Sequence, residues 1–379
     1  MKIIYTVIRH IIFSFFFLLA MAPFSSANDG AFFAAGNHLI PIEEADIRVK
    51  KEILSINRIS PEEVEVLVYY EFENPGNDPK TLIVGFEAIA PHGDASFMPV
   101  DGKHPYMSAF TVEVNKTILP YQVAVVTDSV YYKNKKMDAL NAEQISKRTD
   151  DGFADFFYVY YFEATFEPGL NMVKHSYTCK LSGGIVYNYY FDYVLTAANR
   201  WGNKQIDDFT LIIRMGDFQD FQIPATFFQN SNDWIITGTG KASDQKNIPD
   251  FAYDGEFEAG DAARFYIRKG DVIYKKTNFS PQGELHLISF KQFHAPVFDC
   301  KEQSKLPLTA ELHYESAADP GSQKILRNLP FAKRGYLFKN KELADYYSSQ
   351  PWYIPDPSYQ SKMSDLTEAE QEWVARWDD

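Results

Sequence analysis

Between residues 28 and about 292 the chain reads as one short strand after another, each stopped by a turn, and that rhythm points to sandwich-like sheet folds. Residues 64–72 (VEVLVYYEF) are β-branched and aromatic, and Asn74-Pro75-Gly76-Asn77 then supplies a turn. The same style continues through 81–89, 110–119, 122–132, 155–166, 172–181, 185–197, 209–215, 234–239, 264–267 and 284–290. Phe110-Thr111-Val112-Glu113-Val114 alternates apolar with polar, the pattern of a sheet with one wet face. The 31 Phe and 24 Tyr suit large sheet cores. No alternation of strand and helix suggests a parallel sheet. Two β-sandwich-like units are therefore expected, over 28–136 and 151–300. Residues 137–150 join them, where Leu140, Gln144 and Ile145 at helical spacing predict a short helix.

The character changes after Lys301. Residues 301–320 read as a linker, since 316–322 (SAADPGS) is small and polar. Residues 321–379 read as three helices. Asp319 and Pro320 form an N-cap and first-turn pair ahead of Ile325, Leu326 and Leu329. Asn340 caps a second helix carrying Leu343, Tyr346 and Tyr347, which stops at Pro351. Thr367, three residues before Glu370, forms a capping box for a third helix through Trp377. The expected fold class is mainly β, two sandwich-like units followed by a small C-terminal three-helix module.

The N-terminus carries a secretion pattern. Lys2 and Arg9 precede residues 11–22 (IIFSFFFLLAMA), and Ser25-Ser26-Ala27 offers small residues for cleavage. The apolar run is short for a membrane span, and no later stretch approaches one. Residues 1–27 are thus expected to be a signal peptide, placing the mature chain in the periplasm or at the cell surface with no transmembrane segment. Losing Lys2 and Arg9 moves the formal charge from -14 to -16. Such acidity argues against nucleic acid as a partner, because phosphate binding needs clustered cations.

The chemistry-bearing motifs are sparse. There is no GxSxG, HExxH, P-loop or EF-hand loop, and nothing asks for a cofactor or a metal. His175 and Cys179 would share a strand face, which favours a half-buried pair over a thiol nucleophile with its base. His92-Gly93-Asp94 reads as a turn rather than a metal site, and His286 and His294 lie too far apart for a local metal pair. Cys179 and Cys300, the two cysteines, leave open one disulfide or two separate buried thiols.

The best binding candidate is a cluster of six cations. Lys324, Arg327, Lys333, Arg334, Lys339 and Lys341 fall within 18 residues that contain no acid. On an acidic protein they suit an anionic partner, and Tyr336, Trp352 and Tyr353, with Tyr347, offer a stacking surface for sugar or peptide. The competing reading docks the cations on the protein's own acidic β region and spends the aromatics on the module's core, as a module this small requires.

Two resemblances add to this. Ile325-Leu326-Arg327-Asn328, Phe331-Ala332-Lys333-Arg334-Gly335-Tyr336, Phe338-Lys339-Asn340-Lys341-Glu342-Leu343, Tyr346-Tyr347, Gln350-Pro351-Trp352-Tyr353 and Leu366-Thr367 with Glu370 resemble the YARHG domain. That is a small helical domain of bacterial proteins, presumed extracellular. Phe331, Lys333 and Arg334 replace the family's Tyr, Arg and His, so a role resting on that imidazole is absent here. Pro330 is unusual, and it predicts a kink in, or an end to, the first helix. The resemblance implies attachment to, or sensing of, the cell wall.

The β region resembles a family of secreted bacterial proteins of unknown function. The match rests on Asn28-Asp29-Gly30-Ala31 with Ala35-Gly36-Asn37-His38-Leu39, on residues 69–74 (YYEFEN), and on Tyr193-Val194-Leu195-Thr196 with Trp201 and residues 206–209 (IDDF). Asn37 stands where that family usually has a second Gly.

The expected protein is therefore an exported, non-enzymatic cell-envelope binding protein whose partner is peptidoglycan or an envelope protein. The alternative is a hydrolase of envelope glycans or peptides, with two acids from the aromatic strands as its catalytic pair.

Overall fold

The computed structural model describes residues 30–32, 35–43, 46–127, 130–150, 153–184, 187–248, 260–291, 296–308 and 314–378. The expected signal peptide lies outside the described residues. The fold is mostly β with helices at the C-terminus, as the sequence predicts. No helix among the described residues is long and apolar enough to cross a membrane.

The largest sheet is organised by one long strand, Gly260–Phe279. Its second half pairs with Ile206–Arg214 and its first half with Gln219–Pro224, so these two strands lie end to end along one edge. Trp234–Ile248 pairs along the opposite edge. From Ile206–Arg214 the sheet continues through Arg48–Arg58, Glu63–Asn74, Gly169–Lys180 and Met107–Val114. From Gln219–Pro224 it continues through Leu285–Phe290, Tyr187–Val194 and Ala35–Asn37.

A second sheet of four antiparallel strands orders Gln122–Val126, Phe157–Phe166, Lys80–Ile89 and Leu39–Pro41. It covers the inner face of the first. Phe72 meets Phe166 at 5.6 Å, Phe86 meets Tyr177 at 4.9 Å and Phe110 meets Tyr160 at 4.7 Å, centroid to centroid. Burial alternates strictly along Glu63–Asn74, so Val64, Val66, Val68, Tyr70 and Phe72 all enter this core. At an average of ~25 cal/mol per Å² of apolar surface, such aromatic burial is the chief source of stability.

Strands from 28–136 and from 151–300 share both sheets. Phe157–Phe166 pairs with Lys80–Ile89 over ten residues, and Gly169–Lys180 lies between Glu63–Asn74 and Met107–Val114. One hydrophobic core runs from Leu39 to Leu287. Period-2 patterning marks which residues face inward but not which strand lies alongside, so a register across more than 80 residues is invisible in the sequence. The 137–150 helix is shorter than its pattern suggests. Helix α1, Ala142–Ser146, is closed by a capping box between Asn141 and Gln144.

The three C-terminal helices form where the caps predict. They are α2, Pro320–Lys333, α3, Lys341–Ser348, and α4, Glu368–Arg376. Asp319 accepts from the Ser322 amide, Asn340 from that of Leu343, and Thr367 and Glu370 form the box. Pro330 does not end α2, which runs three residues beyond it. The carbonyl that its missing N–H leaves unserved, Leu326 O, accepts instead from Trp373 Nε1 at 2.7 Å.

The described residues of 301–320, expected as a linker, are packed into the module. Leu306, Leu308 and Tyr314 are buried with the helices, Leu306 O accepts from Trp352 Nε1, and the Leu306 amide donates to Gln350 Oε1. Val297–Phe298 and Ser316–Ala317 pair in parallel beneath α2.

Candidate functional site

The six cations do not form one patch. Arg334 makes a bidentate ion pair with Glu370 at 2.7 and 2.9 Å, and Lys333 is buried with its ammonium 4.0 Å from the same carboxylate. Both lie over the ring of Phe218, 5.0 and 5.1 Å from its centre. Arg327 pairs with Asp378, and Lys341 with Asp345 one turn along α3. Lys324 and Lys339 are exposed and form no ion pair among the described residues. The acids that take up the cations come mainly from the module itself, separated in sequence but adjacent in the fold.

The aromatics follow the competing reading. Trp352 and Tyr353 are buried around Tyr347, and Tyr336, half-buried, accepts at its carbonyl from Tyr353 OH. A stacking surface on Trp352 and Tyr353 is therefore excluded, because the small module needs them as its core. The cysteines are free thiols in different cores. Cys179 is buried in the sandwich, and Cys300 packs against the module, its amide accepted by Ser322 Oγ. The disulfide option fails for that reason.

A different cluster lies inside the sandwich. His38, Glu52, Tyr70, Tyr177, Tyr193 and His175 are each at most 3% exposed. They come from five segments. Glu52 and Tyr70 are cross-strand neighbours on Arg48–Arg58 and Glu63–Asn74. His175 and Tyr177 stand two apart on the inward face of Gly169–Lys180, with Cys179 next on that face. Tyr193 and His38 close the group, their rings 5.2 Å apart. His38 Nδ1 is 3.2 Å from Glu52 Oε2 but off the direction of a good hydrogen bond. His175 Nδ1 donates to Thr111 O at 3.2 Å, which leaves Nε2 as an acceptor.

Seven side-chain atoms of this cluster have no direct partner: His38 Nε2, both Glu52 oxygens, His175 Nε2 and the hydroxyls of Tyr70, Tyr177 and Tyr193. Only four other such atoms occur among the described residues. Tyr70 lies beside Tyr193 and the Leu39 backbone, and Tyr177 beside the Asn37 backbone, close enough for weak hydrogen bonds but poorly aligned for good ones. A buried polar group left unpaired costs about 1–3 kcal/mol, so a cluster whose own side chains pair only weakly calls for further partners.

Burial also sets the charges. It pushes His38 down to about 3, helped by His175, and His175 down to about 4 against the pull of Thr111 O. It raises Glu52 well above the carboxylate range and the three tyrosines above theirs. Burial thus favours the uncharged form of every group in the cluster. Cys179 is pushed up to about 12 by the same burial, which removes a thiolate nucleophile beside His175.

The remaining histidines have ordinary places. His92 lies in the two-residue strand His92–Gly93 and stacks on Phe153. His286 Nδ1 lies 2.5 Å from Asp192, whereas His294 lies outside the described residues. No group of three or more His, Cys, Asp or Glu able to hold a metal occurs among the described residues.

The family model for the YARHG domain matches residues 309–378. The chain carries a YARHG domain. Its first matched residues precede α2 and include Tyr314, buried in the same core. No curated protein matches the chain in sequence. Among solved structures the chain is similar to a candidate nutrient-binding protein of Legionella pneumophila, at 15% identity and a TM-score of 0.49, over 92% of this chain and 99% of that one. It is also similar to baculovirus P35, at 13% identity and 0.28, over 65% and 98%. An M1 zinc metallopeptidase of Deinococcus radiodurans follows at 7% identity and 0.23, over 62% and 43%.

The YARHG domain is docked on the long strand. Arg268 donates to the carbonyls of Lys333 and Ile354, and Lys241 Nζ donates to Tyr353 O at 2.6 Å. Tyr266 and Phe218 of the β region enter the domain's core. Gly335 has φ +87, and a Cβ there would meet Arg268, so both backbone conformation and space require glycine. Sequence reasoning missed the interior cluster, although one signal was present. In the alternation Glu52, Leu54, Ile56 an acid occupies the apolar phase.

Proposed function

We propose that this chain is an exported cell-envelope binding protein, non-enzymatic, that meets an anionic wall surface through the outer face of its YARHG domain. The observation that carries the reading is the sorting of the six cations. Lys333 and Arg334 are spent inside the domain on Glu370, while Lys324, Lys339, Lys341 and Arg327 remain at its surface, the last two in exposed ion pairs with Asp345 and Asp378. Exposed ammonium groups on a chain of negative net charge select a local anionic contact, such as peptidoglycan stem carboxylates, and tolerate its irregularity better than a fixed bidentate arginine does. The secretion pattern of residues 1–27 and the YARHG match support the same compartment. Docking through Arg268, Lys241 and Phe218 makes the domain a fixed face of the β body.

The test is co-sedimentation of the full mature chain with purified peptidoglycan. The wild type pellets, release increases with salt, and a K324E/K339E/K341E variant is retained several-fold less. Equal pelleting of the two proteins, or none by either, overturns the reading.

A further inference from the structure

We infer that His38, Glu52, Tyr70, Tyr177, Tyr193 and His175 form an internal site for ordered water, the guest class being a small neutral hydrogen-bonding molecule. The seven atoms converge from five segments, and where the groups approach one another, Tyr70 with Tyr193 and His38 with Glu52, the contacts are too poorly aligned to satisfy them. Polar groups that meet in poor alignment are the geometry a bridging molecule completes.

The donor and acceptor sets match water. The three hydroxyls and the protonated Glu52 carboxyl can each donate and accept, and His175 Nε2 accepts. A metal is disfavoured because the His and Glu groups do not assemble as ligands. Burial disfavours the charged forms of His38, His175 and Glu52, so the site offers a neutral guest better company than an ion. At ~3 hydrogen bonds per buried water, seven atoms suit about two or three molecules. The site is sealed between the two sheets, so its guests exchange only when the sandwich opens.

An atomic-resolution crystal structure of the mature chain decides the matter on the native protein. Ordered waters, each within hydrogen-bonding distance of at least two of the named atoms, are expected. A dry cluster in which the same side chains have rotated to bond one another overturns the inference. Water-to-protein NOEs in solution give the second readout: slowly exchanging water beside the Tyr70, Tyr177 and Tyr193 rings is expected, and none is seen if the cluster is dry. The Y70F variant should lose the water bonded to that hydroxyl. An unchanged water set there removes Tyr70 from the site.

Discussion

Trp373 serves the carbonyl that Pro330 leaves without a donor: its Nε1–H reaches Leu326 O at 2.7 Å, one turn before the proline. A ring nitrogen on α4 thereby lets α2 continue through a residue that ordinarily breaks helices. Trp373→Phe should cost about 1–3 kcal/mol, because it strands a buried carbonyl. In a Pro330→Ala background the new amide serves Leu326 O, so the same substitution should cost about 1 kcal/mol less. A double-mutant cycle by urea unfolding measures the coupling. Equal costs in the two backgrounds would remove the link between Pro330 and Trp373.

The interior cluster makes stability depend on pH with a definite sign. His38 and His175, lowered to about 3 and about 4, stay neutral in the fold while the unfolded chain takes up protons below about 6.5. Their contribution is complete above that value and declines as pH falls, at up to about 1.4 kcal/mol per unit for each histidine. Glu52 acts oppositely. Its raised folded value stabilises the fold at low pH, and that benefit is lost as pH rises above about 4.5. Between pH 4.5 and 6.5 the two histidines outweigh the one acid. Urea midpoints should therefore fall on acidification, and Glu52→Gln should make the fall steeper. A variant slope equal to the wild type's contradicts a raised Glu52.

The thiols give a chemical check. Intact-mass analysis should find two free cysteines, with Cys300 alkylated in the native protein and Cys179 only after denaturation, since burial pushes Cys179 up to about 12. A mass lower by two hydrogen atoms, with no alkylation until reductant is added, would show that Cys179 and Cys300 are bonded after all.

Glu370 shows why the cation cluster misled. Burial alone would raise its value, but Arg334, the Thr367 amide and Lys333 together bring it below normal. One carboxylate therefore completes a helix cap and neutralises two cations that look available in the sequence. Thirty-six residues separate Arg334 from Glu370, and no local pattern announces their pairing.

Local physics was legible throughout. Asp319, Asn340 and Thr367 marked three helix starts because a cap bonds amides two or three residues away, and alternation marked the inward face of each strand because side chains repeat every two residues. What the tertiary structure alone decided is every partnership across the chain. It joined Gly169–Lys180 to Glu63–Asn74, paired Arg334 with Glu370, brought Trp373 to Leu326, and enclosed His38, Glu52, Tyr70 and His175 between two sheets. Those contacts depend on register and docking between segments far apart in sequence, and a run of residues encodes its own faces but not the face it will meet.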